Sequence, residues 1–331
     1  MNLLAIATGS RDSAAPTTTL LEWSDISSQE LLLGHERGAY TTARTVGHGN
    51  VLEWDMHVTR LLTSIQAIHS SDNDGGWNAP RIHDLLKTSL DAFYTNHTFN
   101  DDDDARITML FSKESGDGGG EIVAFCHIAK MPPTPTVCDV ETVAFGGRKC
   151  ATVKDSQWIK DRAALESGKR PDINELILQD SQGFLYEGLS SNFFVLMADD
   201  GSGAGVKIVT APKDVILPGT IMKVVEELVR ESSIPESSQG SSSSSSSTLS
   251  SPSFPKKIEF RLPNVSEIEK WQGAFITSTS RLLLPIKTIS ISNQSERGKS
   301  IHHLPTDFTS RVMQKMVSSH LLKFCRKILS P

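Results

Sequence analysis

Blocks of basic residues, long apolar runs and paired cysteines are all missing from this sequence of 331 residues, and each absence closes off a class of function. The 33 Lys and Arg are outnumbered by 39 Asp and Glu, for a formal net charge of −6. No Lys/Arg-rich stretch is there to neutralise a row of nucleic-acid phosphates or to settle on an anionic membrane. No uninterrupted apolar run approaches the roughly 20 residues that span a bilayer. The four cysteines, Cys126, Cys138, Cys150 and Cys325, include no Cys-x-x-Cys pair and have no histidine at metal-ligand spacing. Zinc and a disulfide framework are therefore not expected, and the cysteines read as free thiols of a reducing compartment. A Gly-x-Gly-x-x-Gly fingerprint between strand and helix is also missing, which disfavours a nucleotide-binding α/β protein. The start, Met1 to Gly9, has no basic n-region, and Arg11 to Thr19 is not an Arg-rich, acid-free transit peptide, so the cytoplasm is the expected location.

What is present is ordinary globular composition, 38% hydrophobic and 22% charged, in a chain long enough for two domains. Leu31 to Val46 alternates weakly and carries Tyr40, Thr41, Thr42 and Thr45, and Gly47-His48-Gly49-Asn50 follows it as a turn, so this stretch reads as a hairpin. Met56, Leu61, Leu62, Ile65 and Ile68 recur at helical spacing and predict a helix over about 56–69, with Asp55 as its N-cap. A second helix is expected over 81–94, followed by strands over 105–111 and 121–128. The acidic run Asp101 to Asp104 and the Gly116 to Gly120 stretch read as solvated turns.

Met131-Pro-Pro-Thr-Pro-Thr136 breaks both periodicities and is expected to connect a domain of residues 1–130 to a larger one of residues 137–331. Beyond it the pattern becomes strand-rich, with candidates at 175–179, 184–187, 193–197 and 207–210, and a helical period over 218–231. The Ser-rich tract 232–253 is too poor in apolar residues to fold and reads as a disordered insertion.

Four separated segments hold the residues that could carry chemistry. They are Val153-Lys154-Asp-Ser-Gln-Trp-Ile; Tyr186-Glu187-Gly188-Leu-Ser190-Ser191-Asn192-Phe-Phe-Val; Ile216-Leu-Pro-Gly219-Thr220-Ile221; and Gly273-Ala-Phe-Ile-Thr-Ser278-Thr279-Ser-Arg281. Each alone has a bland reading: an exposed lysine at a helix start, a strand-end Glu in a surface ion pair, capping after a Pro-Gly turn, and a Thr/Ser turn of any β protein. Their order and spacing, with Glu187 lying 33 positions after Lys154, resemble the class IV aminotransferases. This is the fold type IV group that includes branched-chain and D-amino acid aminotransferases and aminodeoxychorismate lyase.

That resemblance covers about Gly38 to Pro285, interrupted by the Ser-rich tract. It implies an α/β (α+β) protein of fold type IV, with a small N-terminal α/β domain and a larger strand-rich pseudo-barrel domain. It further implies pyridoxal 5′-phosphate (PLP) in the cleft between the domains, no metal, small amino and oxo acids as substrates, and a homodimer. Lys154 would be the Schiff-base lysine, an amine that must lose its proton to act as a nucleophile. Glu187 would keep the pyridine nitrogen protonated, so that the ring can draw electrons from the substrate. Ser190, Ser191 and Asn192 follow it as the family's Ser-Ser-Asn. Gly219, Thr220 and Ile221 would offer phosphate the amides and positive dipole end of a helix, with Ser278 and Thr279 completing the cup. Arg60, in His57-Val-Thr-Arg60-Leu, matches the arginine that reaches the phosphate from the small domain, and a planar guanidinium can bind two oxygens at once. Tyr40 fits a substrate-side aromatic.

The chain departs from the family's pattern at several places. Arg37 and Thr41 stand where acidic residues are usual, Thr220-Ile221 reverses the usual order, and Met222-Lys223 replaces an arginine. The reversal leaves backbone donors intact but would displace the phosphate-binding hydroxyl. Residues 105–113 show no obvious arginine–histidine pair for a D-amino acid carboxylate. Three functions follow: an aminotransferase acting on an amino acid and a 2-oxo acid, a lyase of the aminodeoxychorismate type, and a non-catalytic relative.

Overall fold

The computed structural model describes residues 1–8, 17–69, 76–96, 103–114, 121–145, 151–199, 205–233, 254–292, 299–306 and 308–329. In chain order the elements are β1 (Asn2–Thr8), β2 (Thr17–Ser24), α1 (Ser28–Gly34), β3 (Gly38–Arg44), β4 (Asn50–Leu52), α2 (Trp54–His69), α3 (Ala79–Asn96), β5 (Ala105–Lys113) and β6 (Ile122–Lys130). There follow β7 (Cys138–Ala144), α4 (Gln157–Asp161), α5 (Ala163–Gly168), β8 (Glu175–Gln179), β9 (Leu185–Gly188), β10 (Asn192–Ala198) and β11 (Val206–Thr210). The last are α6 (Thr220–Ser232), β12 (Lys257–Phe260), β13 (Trp271–Ser278), β14 (Leu282–Ser292), β15 (Lys299–His303), α7 (Phe308–His320) and β16 (Cys325–Lys327).

Two compact units emerge. One comprises Met1–Pro133, Val153–Gly168 and His320–Pro331; the other comprises Thr134–Thr152 and Lys169–Ser319. The first division falls inside the Pro-rich stretch. Two segments expected in the larger domain pack with the first unit instead. Asp155 forms a bridge with Ala39 at the free side of β3, and β16 pairs with β4. Backbone pairing to distant strands, rather than position along the chain, decides where they belong.

The first unit is an antiparallel sheet in the order β2-β1-β6-β5-β3. Alternation of period two sends Leu3, Ala5, Ile107, Met109, Phe111, Cys126 and Ile128 to one face, beneath Val58, Leu61 and Ile65 of α2 and Ile82, Leu86 and Phe93 of α3. The opposite face carries Leu4, Tyr40, Leu110 and Phe125 under Leu31 and Leu32 of α1 and Ile159 of α4. Each fully buried Leu, Ile or Phe contributes about 1.5–3 kcal/mol.

Several local expectations change. Leu31 to Leu33 are helical, because Ser27 and Glu30 form a capping box: Ser27 Oγ accepts from Glu30 N at 3.1 Å and Glu30 Oε2 accepts from Ser27 N at 2.7 Å. The hairpin is correspondingly shorter, with Val46 N donating to Asn50 O at 2.8 Å and a Thr45–Val51 bridge. Asp55 lies inside the first turn of α2 rather than capping it, since the helix starts at Trp54, directly after Glu53 at φ 48°. Asp104 is not a solvated turn residue: its carboxylate pairs with buried Arg44 and accepts from Gly47 N at 2.9 Å. Asp101, Asp102, Gly116 to Gly120 and Cys150 lie outside the described residues.

The second unit holds a nine-stranded sheet ordered β12-β11-β10-β13-β14-β7-β8-β9, with β15 on β14. An additional pairing joins β9 to β10, so β10, β13, β14, β7, β8 and β9 close into a ring, the expected barrel-like sheet. The closing contact is Glu187 opposite Asn192. Phe194 and Phe275 stack at 4.8 Å between ring centroids. Helix α6 buries Ile221, Met222, Val224, Val225, Leu228 and Val229, a helical period packed against β13. Ser232 and Ser233 end this helix; 234–253, the rest of the Ser-rich tract, lies outside the described residues.

Among the described residues no helix is long and apolar enough to cross a membrane, and no group of three or more His, Cys, Asp or Glu is arranged to hold a metal. Cys126 and Cys138 are free and buried, and burial pushes both thiols up to about 12.

Candidate active site

In the first unit the predicted residues gather at the edge of the sheet. Gly38 brings β3 so close to β5 that a Cβ would strike the Phe111 carbonyl. On the other side of β3, Tyr40 N donates to Lys154 O at 3.0 Å, and Ser156 N to Gly38 O at 2.9 Å. Gly38 N in turn donates to Ser156 Oγ at 3.0 Å, and Lys154 N to Ser64 Oγ of α2 at 3.1 Å. The Lys154 backbone is thereby held on both sides, and its Nζ lies 4.7 Å from the centroid of the Tyr40 ring, a cation–π contact. Arg37, which stands where the family usually has an acid, binds the next residue: its Nε and Nη2 both reach Asp155 Oδ2, at 2.9 and 2.7 Å.

Thr41, the second departure, is fully buried on the opposite face from Tyr40. Its Oγ1 lies 2.8 Å from Nδ1 of His57, which Arg60 Nη2 approaches at 3.5 Å. An arginine can only donate, so in the contact with Arg60 Nδ1 is the acceptor. Burial first, and then the charges of Arg60 and Lys154, hold His57 well below its usual range, so it stays neutral. A neutral buried histidine thus links Thr41 to the arginine expected to reach the phosphate.

In the second unit Glu187, Asn192, Gly219, Thr220 and Thr279 come together. Glu187 is buried, and its Oε2 accepts from Leu217 N at 3.1 Å. Asn192 spans the same segment: Nδ2 donates to Leu217 O at 2.7 Å, and Oδ1 accepts from Gly219 N at 3.1 Å. Gly219 is the N-cap of α6, without any side chain to occupy the helix end. The first amides of a helix have no acceptor within it, so those of Thr220 and Ile221 point outward with the positive end of the dipole. Thr220 Oγ1 meets Thr279 Oγ1 at 2.9 Å. The reversed Thr-Ile order therefore keeps a hydroxyl at the helix start, opposite the Thr/Ser turn.

Three predicted residues have other partners. Ser190 Oγ and Ser191 Oγ donate to Glu175 Oε2 at 2.6 and 3.1 Å, and Ser278 Oγ accepts from Arg281 N at 3.2 Å. Glu175 and Arg281 were not singled out from the sequence. Glu175 reads there as an ordinary strand residue, and only the strand register turns it inward. His57 was visible only as the first residue of the His-x-x-Arg-Leu segment.

The fold and these constellations define a family. The chain belongs to the class IV aminotransferases, whose sequence profile matches residues 38–240, more than half of its length. Among solved structures it resembles a fold IV transaminase from Curtobacterium pusillum, at TM-score 0.66 and 16% identity over 97% of this chain and 99% of that one. The PLP-bound form of a hypothetical aminotransferase from Mycobacterium tuberculosis aligns at TM-score 0.64 and 14% identity, over 98% and 99% of the two chains. A branched-chain aminotransferase from Thermoproteus uzoniensis, solved with norvaline, aligns at TM-score 0.64 and 16% identity over 99% of both chains. No curated protein sequence matches.

Proposed function

We propose that this protein is a PLP-dependent aminotransferase acting on an amino acid and a 2-oxo acid, with Lys154 as the amine that binds the cofactor covalently. The observation that carries this reading is the second-unit cluster. Buried Glu187 and Asn192 are both fastened to residues 217–219, which lead into the N-terminus of α6 and the Thr220–Thr279 hydroxyl pair. Its chemistry suits PLP: a carboxylate for a protonated ring nitrogen, and amides and hydroxyls for a phosphate dianion.

When bound, PLP supplies an electron-accepting ring that stabilises negative charge at the substrate's α-carbon. Glu187 would hold a proton at the ring nitrogen. The amides of Thr220 and Ile221, the hydroxyls of Thr220, Ser278 and Thr279, and the guanidinium of Arg60 would bind the phosphate. Neutral His57 would orient Arg60 without competing for the anion. Lys154, displaced by the amino substrate, would take the α-proton on Nζ as general base and return it as general acid. Tyr40, whose ring lies beside that ammonium, would face the substrate. Ser190 and Ser191 would hold the turn, and Asn192 the loop before α6, around the cofactor.

Borohydride reduction of the PLP-loaded protein followed by peptide mapping should find the label on Lys154, and Lys154→Ala should abolish it. A label on Lys149 or Lys160 would overturn the assignment. Single-turnover mixing with L-amino acids, D-amino acids and aminodeoxychorismate tests the reaction. Pyridoxamine phosphate is expected; pyruvate release with PLP unchanged would make it a lyase, and no spectral change with any donor would make it a non-catalytic relative.

A further inference from the structure

Glu175 has a side chain only 4% exposed, and both of its oxygens are used. Oε1 accepts from Leu176 N at 3.1 Å. Oε2 accepts from Ser190 Oγ at 2.6 Å, Ser191 Oγ at 3.1 Å and Arg281 Nη1 at 3.1 Å. Arg281 reaches Ser190 as well, Nη2 to Oγ at 2.9 Å, so one planar fork grips both the acid and the hydroxyl that donates to it. Gly188 leaves room for this: a Cβ there would overlap Ser191 Oγ and lie 2.9 Å from Glu175 Cγ. The turn closes with Gly188 N on Ser191 O at 2.7 Å.

The ends of that turn are Glu187 and Asn192, the pair that closes the strand ring. Arg281 itself follows the Ser278-Thr279-Ser280 turn, tied to it by its own amide on Ser278 Oγ. We propose that Arg281 and Glu175 are positioning residues that clasp the 188–191 turn to the 278–280 turn, setting Glu187 and Asn192 against Ser278 and Thr279 for cofactor binding. The proposal rests on the reading of this cluster as a PLP site.

Positioning, rather than stability, is the role that the physics favours. Glu175 is buried and Arg281 is partly exposed; taking the carboxylate out of water costs enough desolvation that an apolar pair of similar volume is often about as stable, whereas the charged pair fixes geometry. The decisive variant is therefore Glu175→Met/Arg281→Met. It is expected to fold cooperatively with a modestly lowered melting temperature, because Ser190, Ser191 and Leu176 N lose an acceptor, while its PLP dissociation constant, titrated on the apo protein, rises about tenfold or more. Hydrogen exchange of the apo protein gives a readout independent of the cofactor: the Gly188 and Arg281 amides should lose protection together. Wild-type PLP affinity and wild-type exchange in a stable double variant would overturn the clasp. If that variant does not fold, Arg281→Lys serves, since it keeps a cation for Glu175 but cannot reach Ser190 with a second planar N–H. A severalfold rise in the PLP dissociation constant is expected there, and no rise would overturn the clasp. Wild-type protein that binds no PLP would sink the functional reading instead, while the exchange experiment still decides whether the two turns are clasped.

Discussion

Replacing Gly219 by alanine introduces one methyl group where the structure has no space for it. Gly219 has φ −80° and ψ 156°, a conformation open to any residue, so glycine is needed there for room and not for torsion. A Cβ would overlap Asn192 Oδ1, the atom that accepts the amide of Gly219 itself. Asn192 is only 4% exposed and must swing away, giving up Gly219 N to Oδ1 at 3.1 Å and Nδ2 to Leu217 O at 2.7 Å. Two hydrogen bonds contribute about 1 kcal/mol each, and buried groups left without partners add about 1–3 kcal/mol. The poorer N-cap adds up to about 1 kcal/mol. Gly219→Ala should therefore cost about 3–6 kcal/mol. In an Asn192→Ala background the overlap is gone and only the cap remains, so the same substitution should cost about 1 kcal/mol or less. Equilibrium urea unfolding of the four apo proteins, with unchanged m-values as the control, measures this coupling. Costs that add within about 0.5 kcal/mol would refute the latch between Asn192 and the start of α6.

Two further outcomes follow from the same geometry. Burial and the neighbouring cations lower the pKa of His57, so the unfolded chain takes up a proton near pH 6.5 that the folded protein resists. Stability from this group is complete above that pH and declines below it by up to about 1.4 kcal/mol per pH unit. His69, His83 and His127 are also lowered and act with the same sign. Melting curves between pH 7.5 and 5.5 should show a shallower acid decline for His57→Gln than for wild type; parallel declines would count against a buried neutral His57. Glu187→Gln keeps an oxygen for Leu217 N but loses the charge. It should fold normally and lose about 10²-fold or more in turnover, measured by single-turnover spectroscopy; wild-type turnover would remove Glu187 from the chemistry.

Much of this protein is written locally. The 3.6-residue period marks α2, α3 and α6, and short apolar runs between turn residues mark β5, β6 and β8 to β11, because burial leaves its imprint on consecutive residues. The capping box of Ser27 and Glu30 is equally local, but the alternation that follows it suggested a strand. The order of Lys154, Glu187, Gly219 and Thr279 was enough to suggest the family. Tertiary structure alone decided what those residues bind. Asn192 reaches Leu217 and Gly219, 25 and 27 positions away, and Arg281 reaches Glu175 across 106 positions. Such partners depend on strand register and on the closure of the ring between β9 and β10, and a shift of one residue would turn each side chain to the other face. For the same reason Ser190 and Ser191 face Glu175, the Lys154 segment pairs with β3, and His57 is neutral: register and burial, not local pattern, choose the neighbours.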